Sequence, residues 1–145
     1  MTTNTVAASE KSVESGNILT TLAPYAHWAL RLAVGSVFLY HGLTKFPVLN
    51  EMSAMMGMPV AMIALLAVME TTGGALALIG GFTPSWITRI SSVLLIPVML
   101  GAIIMVHWPQ WTFVASDTHP MGGMEFQVMM ILVLTYLFIK GKDNN

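Results

Sequence analysis

The sequence contains no cysteine. This absence excludes disulfide bonds, thiolate nucleophiles, Cys-ligated metal sites and iron–sulfur clusters held by thiolates. Any redox chemistry must therefore use a bound cofactor or substrate that other side chains hold.

Charged residues are scarce as well. Asp, Glu, Lys and Arg make up 9% of the 145 residues, against about a quarter in a typical soluble domain. With 55% hydrophobic residues and a mean hydropathy of +0.72, the chain could not cover its surface with polar groups in water. The net formal charge of −1 provides no basic surface for nucleic acid, so we expect no nucleic-acid partner. The composition predicts an integral membrane protein whose main partner is the lipid bilayer.

Four apolar segments are each roughly as long as the 20 residues that a helix needs to cross a bilayer core. They run from about Pro24 to Phe46, Pro59 to Phe82, Pro84 to Trp108 and Met124 to Ile139. Two of the connections are short and one is longer, which places successive segments antiparallel. The predicted fold class is therefore all-α, an integral membrane antiparallel four-helix bundle.

The remaining residues form the predicted ends of the chain. Residues 1–21 are interpreted as a flexible polar cytoplasmic tail, because they lack the basic start and apolar stretch of a cleaved signal. Residues 22–141 are interpreted as one four-transmembrane-helix domain, and residues 142–145 as a short cytoplasmic tail.

Lysine and arginine predict the orientation. Most of the lysines and arginines lie toward one side of the membrane, and only Lys45 lies toward the other side. The positive-inside rule then places both termini of this multi-pass protein in the cytoplasm. The basic residues on the cytoplasmic side are Lys11, Arg31, Arg89, Lys140 and Lys142.

A carboxylate lies in the middle of the second apolar segment. Helical periodicity puts Glu70 on the same face as Gly73 and Gly74, and such small-residue faces pack against neighbouring helices in membranes. Counted by depth, Arg31, Glu70 and Arg89 are all in the cytoplasmic half, so we expect them to form one buried charge cluster. Two alternatives stay open for it: the charges fix helix register, or they hold an anion, a quinone oxygen or a proton.

A second polar group is predicted at the opposite end of the bundle. His41, Lys45, His107 and Glu125 come from three segments and converge there by depth and helical face. Imidazole, ammonium and carboxylate groups together suit a small-molecule or metal site. The alternative is that each side chain is solvated separately.

Methionines cluster between the first and second segments. Thioethers can bind Cu(I), but methionine is also a flexible apolar filler. The pattern favours an amphipathic interfacial helix, so no metal ligands are assigned here, and copper handling remains an alternative. The cluster comprises Met52, Met55, Met56, Met58 and Met62.

The chain resembles the DoxX family of small four-span bacterial membrane proteins. The resemblance rests on "RLAVGSVFLYHGLTKF", "MGMP", "ETTGGALALIGGFTP", His107 and "GGMEFQVMMILVL" in this order and spacing. It implies the bacterial inner membrane. It also implies kinship with the membrane subunit of thiosulfate:quinone oxidoreductases or with proteins of thiol and oxidative stress. The positions that carry over are Arg31, Gly35, Gly42, Lys45, Glu70, Gly73, Gly74, His107 and Glu125.

The leading functional hypothesis is the membrane subunit of a quinone-linked redox system. In this hypothesis the outer group, His41, Lys45, His107 and Glu125, binds substrate or quinone, and Glu70 with Arg31 acts as a charge relay or lock. A partner subunit or a homo-oligomer is expected to complete the system. The alternatives are a non-catalytic membrane scaffold for a partner protein and a small-molecule or copper-handling membrane protein.

Overall fold

A computed structural model describes residues 18–141, which are helical with irregular connections. The main helices are α1 (His27–Lys45), α2 (Leu49–Met56), α3 (Val60–Ile79), α4 (Ser85–Ala102) and α5 (Glu125–Lys140). Single 3₁₀ turns, Ala23–Tyr25 and Phe46–Val48, flank α1, and a π-helical turn, Ile103–His107, extends α4. Most of the predicted N-terminal tail and all of residues 142–145 lie outside the described residues, and residues 18–21 of that tail are helical.

Three helical segments are long and apolar enough to cross a membrane. They are Ile18–Met56, Val60–Ile79 and Ser85–His107. The 20 residues of α3 measure about 30 Å at 1.5 Å per residue, which matches the hydrocarbon core of a bilayer. The fourth segment, α5, has 16 residues and is shorter than this thickness. The prediction of an all-helical integral membrane bundle is confirmed.

The four long helices pack in the order α1, α3, α4, α5 and back to α1. Hydrogen bonds join neighbouring helices. Ser91 Oγ donates to the Gly73 carbonyl at 2.7 Å, and Ser92 Oγ donates to the Leu134 carbonyl at 2.9 Å. The centre of the bundle is a buried apolar cluster drawn from all four helices: Val34, Phe38, Ala77, Leu95, Val98, Met99, Leu134 and Leu137.

Glycines allow α1 and α3 to approach closely. A Cβ atom added at Gly42 would lie 2.5 Å from the Thr71 backbone nitrogen and 2.9 Å from the Ala67 carbonyl oxygen. At Gly74 it would lie 2.8 Å from the Leu39 backbone nitrogen. Because backbone atoms cannot rotate away as a side chain does, these two positions require glycine. This contact sets the α1–α3 register that places the polar groups described below.

Replacing Gly42 by alanine is expected to destabilise the protein. The new methyl group would separate α1 from α3, and overpacking of this kind costs about 1–3 kcal/mol. Gly101 provides a matched control, since a Cβ atom there would meet nothing within 4 Å. We expect Gly42→Ala to lower the thermal midpoint in detergent and Gly101→Ala to leave it unchanged or raise it, because alanine is the better helix former. Equal midpoints for the two variants would contradict the close approach.

Candidate functional site

An ion pair lies in the interior between α1 and α3. The ammonium group of Lys45, the last residue of α1, donates a hydrogen bond to Oε2 of Glu70 in α3. The Lys45 side chain is 15% exposed and that of Glu70 is 7% exposed. Lys45 Nζ also donates to the His41 carbonyl at 3.0 Å. The ammonium group is thus held by α1 itself and by the neighbouring helix.

The depth of Glu70 makes this pair unusual. Glu70 is about 15 Å along the helix axis from Val60 and about 14 Å from Ile79, so it lies near the middle of a helix that matches the bilayer core. Lys45 reaches it because its flexible stem turns back along α1 from the helix end. A charged side chain at the centre of a membrane costs at least about 2.5 kcal/mol. The pairing offsets part of that cost, and the remainder is an argument for function.

A polar atom without a partner lies beside the pair. In the part of the chain that the structure describes, Thr71 Oγ1 is the buried side-chain atom without a hydrogen-bond partner. Thr71 follows Glu70 in sequence, and its hydroxyl group lies against Gly42 of α1. A hydroxyl buried without a partner costs free energy. The interior near Glu70 therefore offers one more group that can donate or accept a hydrogen bond.

Arg31 is fully buried in the opposite half of the bundle. Its Nη1 atom donates to the Ala77 carbonyl and to Thr88 Oγ1, both at 2.9 Å, and its Nη2 atom donates to the Gly141 carbonyl at 2.8 Å. Its Nε atom donates to His27 Nδ1 at 3.0 Å. One guanidinium group thus joins α1, α3, α4 and the residue that follows α5.

Helix dipoles stabilise this buried cation. Ala77 belongs to the last turn of α3, and Gly141 follows the last residue of α5. The C-terminal end of a helix carries a partial negative charge. Two such ends converge on the Arg31 guanidinium group and take the place of a carboxylate.

Among the described residues, Arg31, Glu70 and Arg89 of the predicted charge cluster are not joined to one another, and each has other partners. Glu70 pairs with Lys45, and Arg31 binds carbonyl, hydroxyl and imidazole groups. Arg89 is exposed, and its Nε atom donates to the Phe138 carbonyl at 3.3 Å. The physical reason is the α1–α3 register, which brings the end of α1 to the middle of α3 and Arg31 to its last turn.

His107 is buried beneath the loop that joins α4 to α5. Its Nδ1 atom hydrogen-bonds with the Gly122 carbonyl at 2.8 Å, and its Nε2 atom hydrogen-bonds with the side-chain amide of Gln127 at 2.8 Å. The ring is 7% exposed. Gly122 has φ 77°, a left-handed conformation that favours glycine and turns this carbonyl toward the ring.

The other members of the predicted outer group have different partners. Glu125 is half-buried, and its Oε2 atom accepts a hydrogen bond from the Phe113 backbone N–H at 3.1 Å. His41 is exposed and packs edge-on against Tyr40. Within residues 18–141, no hydrogen bond joins any two side chains of the predicted set of His41, Lys45, His107 and Glu125. Lys45 forms an ion pair with Glu70, and His107 forms a hydrogen bond with Gln127.

The described residues contain no group of three or more His, Asp or Glu side chains placed to hold a metal ion. The methionines of α2 are distributed around an amphipathic helix that packs on α3. Met52 and Met56 are half-buried and Met55 is exposed, as in an interfacial helix with one covered face.

Sequence reasoning missed the Lys45–Glu70 pair and the role of Gln127. Counting residues along each segment puts Lys45 at the outer end of its helix and Glu70 in the inner half, so their depths do not match. The length of the lysine stem was the available signal, because a lysine at a helix end can turn its charge back by about one helical turn. Nothing in the sequence distinguished Gln127 from the other polar residues near the ends of the segments.

The DoxX family model matches residues 26–108, more than half of the chain. A protein of Bacillus subtilis (strain 168), named "Putative oxidoreductase CatD", is 30% identical over 134 residues, which cover 90% of this chain and 83% of the relative. No solved structure matches the chain.

Proposed function

The chain belongs to the DoxX family, and on this premise we propose that it is the membrane subunit of a quinone-linked redox system. Its donor substrate would be thiosulfate or a compound of thiol or oxidative stress. The observation that carries the proposal is the Lys45–Glu70 ion pair at mid-depth in an apolar bundle. A purely structural bundle gains little from such a pair, because apolar residues of similar volume often stabilise as well or better.

The side chains near the pair fit a quinone head group. A quinone carbonyl oxygen needs hydrogen-bond donors, and the Lys45 ammonium group is one. Reduction of a quinone to a quinol takes up two electrons and two protons, and a carboxyl group such as Glu70 can transfer a proton. His41, whose carbonyl binds Lys45 Nζ, adds an imidazole on the bundle surface. Because the chain has no cysteine, we propose that the electrons come from a partner subunit or directly from the donor substrate.

Quinone bound to the purified protein tests this proposal. The wild type and a Lys45→Met/Glu70→Leu variant would be purified in mild detergent, extracted with organic solvent and compared by chromatography with mass spectrometry. We expect the wild type to retain quinone and the amount of quinone bound to the variant to be at least tenfold lower. Glu51→Gln, which removes an exposed carboxylate from α2, is the control and should retain the wild-type amount.

The same purification distinguishes the scaffold alternative. If wild type and double variant contain equal quinone, or neither contains any, the quinone proposal is wrong. A partner protein that copurifies equally with both would then favour a non-catalytic scaffold. A partner that copurifies with a quinone-loaded wild type supports the proposal.

The proposal includes an orientation in the bacterial inner membrane. Arg31 binds the Gly141 carbonyl and Arg89 binds the Phe138 carbonyl, so both arginines lie at the end of the bundle where α5 ends. This end also carries Lys140. The positive-inside rule assigns it to the cytoplasm, and the loop between α4 and α5 then faces outward.

Single cysteines test the orientation, since the natural sequence contains none. We expect Ser116→Cys, in the loop between α4 and α5, to react with a membrane-impermeant maleimide in cells whose outer membrane, if any, is permeabilised. Thr83→Cys, in the turn between α3 and α4, should react only after the inner membrane is disrupted. The reverse pattern would place the arginine-rich end outside.

A further inference from the structure

His107 is a buried titratable group that the proposed function does not use. It ends the π-helical turn Ile103–His107, and both of its ring nitrogens are within 2.8 Å of a hydrogen-bond partner. Nδ1 faces a backbone carbonyl, that of Gly122, which can only accept a hydrogen bond. The protonation state of the ring therefore depends on what Nε2 faces.

The orientation of the Gln127 side-chain amide determines whether Nε2 of His107 faces a donor or an acceptor. An amide side chain can present either its oxygen or its nitrogen to a neighbour, and the hydrogen-bond network identifies which. With its oxygen toward His107 Nε2 at 2.8 Å, the Gln127 nitrogen donates to the carbonyls of Gly123 and Met124, both at 3.3 Å. In the opposite orientation the amide oxygen would face those two carbonyl oxygens without a donor between them.

Neither neutral form of the imidazole satisfies this environment. A proton on Nδ1 alone leaves the Nε2 lone pair against the Gln127 oxygen, or else forces the amide into its unfavourable orientation. A proton on Nε2 alone leaves the Nδ1 lone pair 2.8 Å from the Gly122 carbonyl oxygen. Only a ring with protons on both nitrogens donates to every acceptor around it. We propose that His107 is a proton-binding site and that its resting form is the imidazolium cation.

The surrounding charges make a cation tolerable at this buried position. His107 lies at the C-terminal end of α4 and its π-helical extension, where the helix dipole favours positive charge. The N-terminus of α5 opposes it, and the carboxylate of Glu125 in the first turn of α5 reduces that opposition. The other titratable groups on the covering loop are Asp117 and His119, both near or at the surface, with His119 Nε2 bound to the Trp108 carbonyl.

The doubly protonated ring of His107 would hold the loop between α4 and α5 in place. His107 and Gln127 together bind the carbonyls of Gly122, Gly123 and Met124. The same segment is tied back to the start of the loop, because the Gly123 N–H donates to Thr112 and the Met124 N–H donates to Gln110. Loss of one proton from the ring would remove one of its two hydrogen bonds and loosen the loop on the outer side.

Nitrogen NMR of ¹⁵N-histidine-labelled protein in detergent micelles tests the proposal. The chain has four histidines, and His107→Gln identifies the His107 signals by their disappearance. At pH 7 we expect a directly bonded proton on both ring nitrogens of His107. The exposed ring of His41 serves as the internal reference for a histidine outside this hydrogen-bond network.

The Gln127→Leu variant supplies the second measurement. It removes the acceptor at Nε2, so we expect one ring nitrogen of His107 to lack its directly bonded proton at pH 7, where both nitrogens of the wild type carry one. An unprotonated ring nitrogen of His107 at pH 7 in the wild type would overturn the proposal, as would His107 signals at pH 7 that are unchanged by Gln127→Leu. If His107→Gln or Gln127→Leu does not fold, His27→Gln, His41→Gln and His119→Gln assign the His107 signals by elimination, and the wild-type spectrum decides. None of these outcomes depends on the proposed quinone chemistry.

Discussion

Replacing Arg31 by methionine is expected to cause the largest loss of stability in the folded bundle. Methionine fills much of the volume, but it leaves the carbonyls of Ala77 and Gly141 and the hydroxyl of Thr88 without the donor that now satisfies them. Hydrogen bonds to a charged group contribute roughly 1.5–3 kcal/mol each and are not additive, so we expect a loss of at least about 3 kcal/mol.

The thermal midpoint of detergent-solubilised protein and the yield of monodisperse protein would measure this loss. Arg31→Lys should be intermediate, because a lysine keeps the charge but cannot place donors in the planar fork that reaches three helices. Arg89→Met is the matched control, since Arg89 lies at the same end of the bundle, is exposed and makes one hydrogen bond to a carbonyl. If Arg31→Met and Arg89→Met lowered the midpoint equally, the account of Arg31 as the joint between helices would be wrong.

Breaking the Lys45–Glu70 pair is expected to have the second largest effect. Glu70→Gln leaves a buried ammonium group without its counter-charge, and Lys45→Met leaves a buried carboxylate in the same state. Removing one member of a buried pair costs about 3–5 kcal/mol. Here we expect the lower part of this range, because Lys45 can turn its charge toward the end of α1.

Replacing both members at once separates structure from function. The Lys45→Met/Glu70→Leu variant contains no unpaired charge, so we expect its thermal midpoint to be near or above that of the wild type. Its quinone content should nevertheless be lost. With Glu70→Leu as the second single variant, the wild type, the two single variants and the double variant form a double-mutant cycle, and Glu51→Gln is the control for loss of an exposed carboxylate. Additive effects of the two single substitutions on the thermal midpoint would contradict a direct interaction, and a wild-type quinone content in the double variant would remove the pair from the mechanism.

Much of the architecture was predictable from composition and periodicity. The all-helical class and the burial of Arg31 and Glu70 are found where the apolar segments and the glycine faces indicated them. These features follow from one constraint, which is that lipid offers no partner for a polar group. A helix must therefore turn its polar side chains and its small residues inward.

The pairing of the buried charges was not predictable in the same way. Helical periodicity gives the face on which Glu70 lies, but it says nothing about how far α1 is shifted along α3. The contact of Gly42 with the backbone of Thr71 sets that shift, and with it the choice of Lys45 as the partner of Glu70. The sites at His107 and Arg31 likewise depend on backbone carbonyls of Gly122 and Gly141.

By itself the sequence determined that this chain lies in a membrane as a helical bundle, and which of its faces turn inward, because both follow from the local alternation of apolar and polar residues. Only the tertiary structure decided which charges meet. The axial offset between helices and the direction of loop carbonyls arise from packing between distant segments, and a shift of one helical turn is enough to exchange one partner for another.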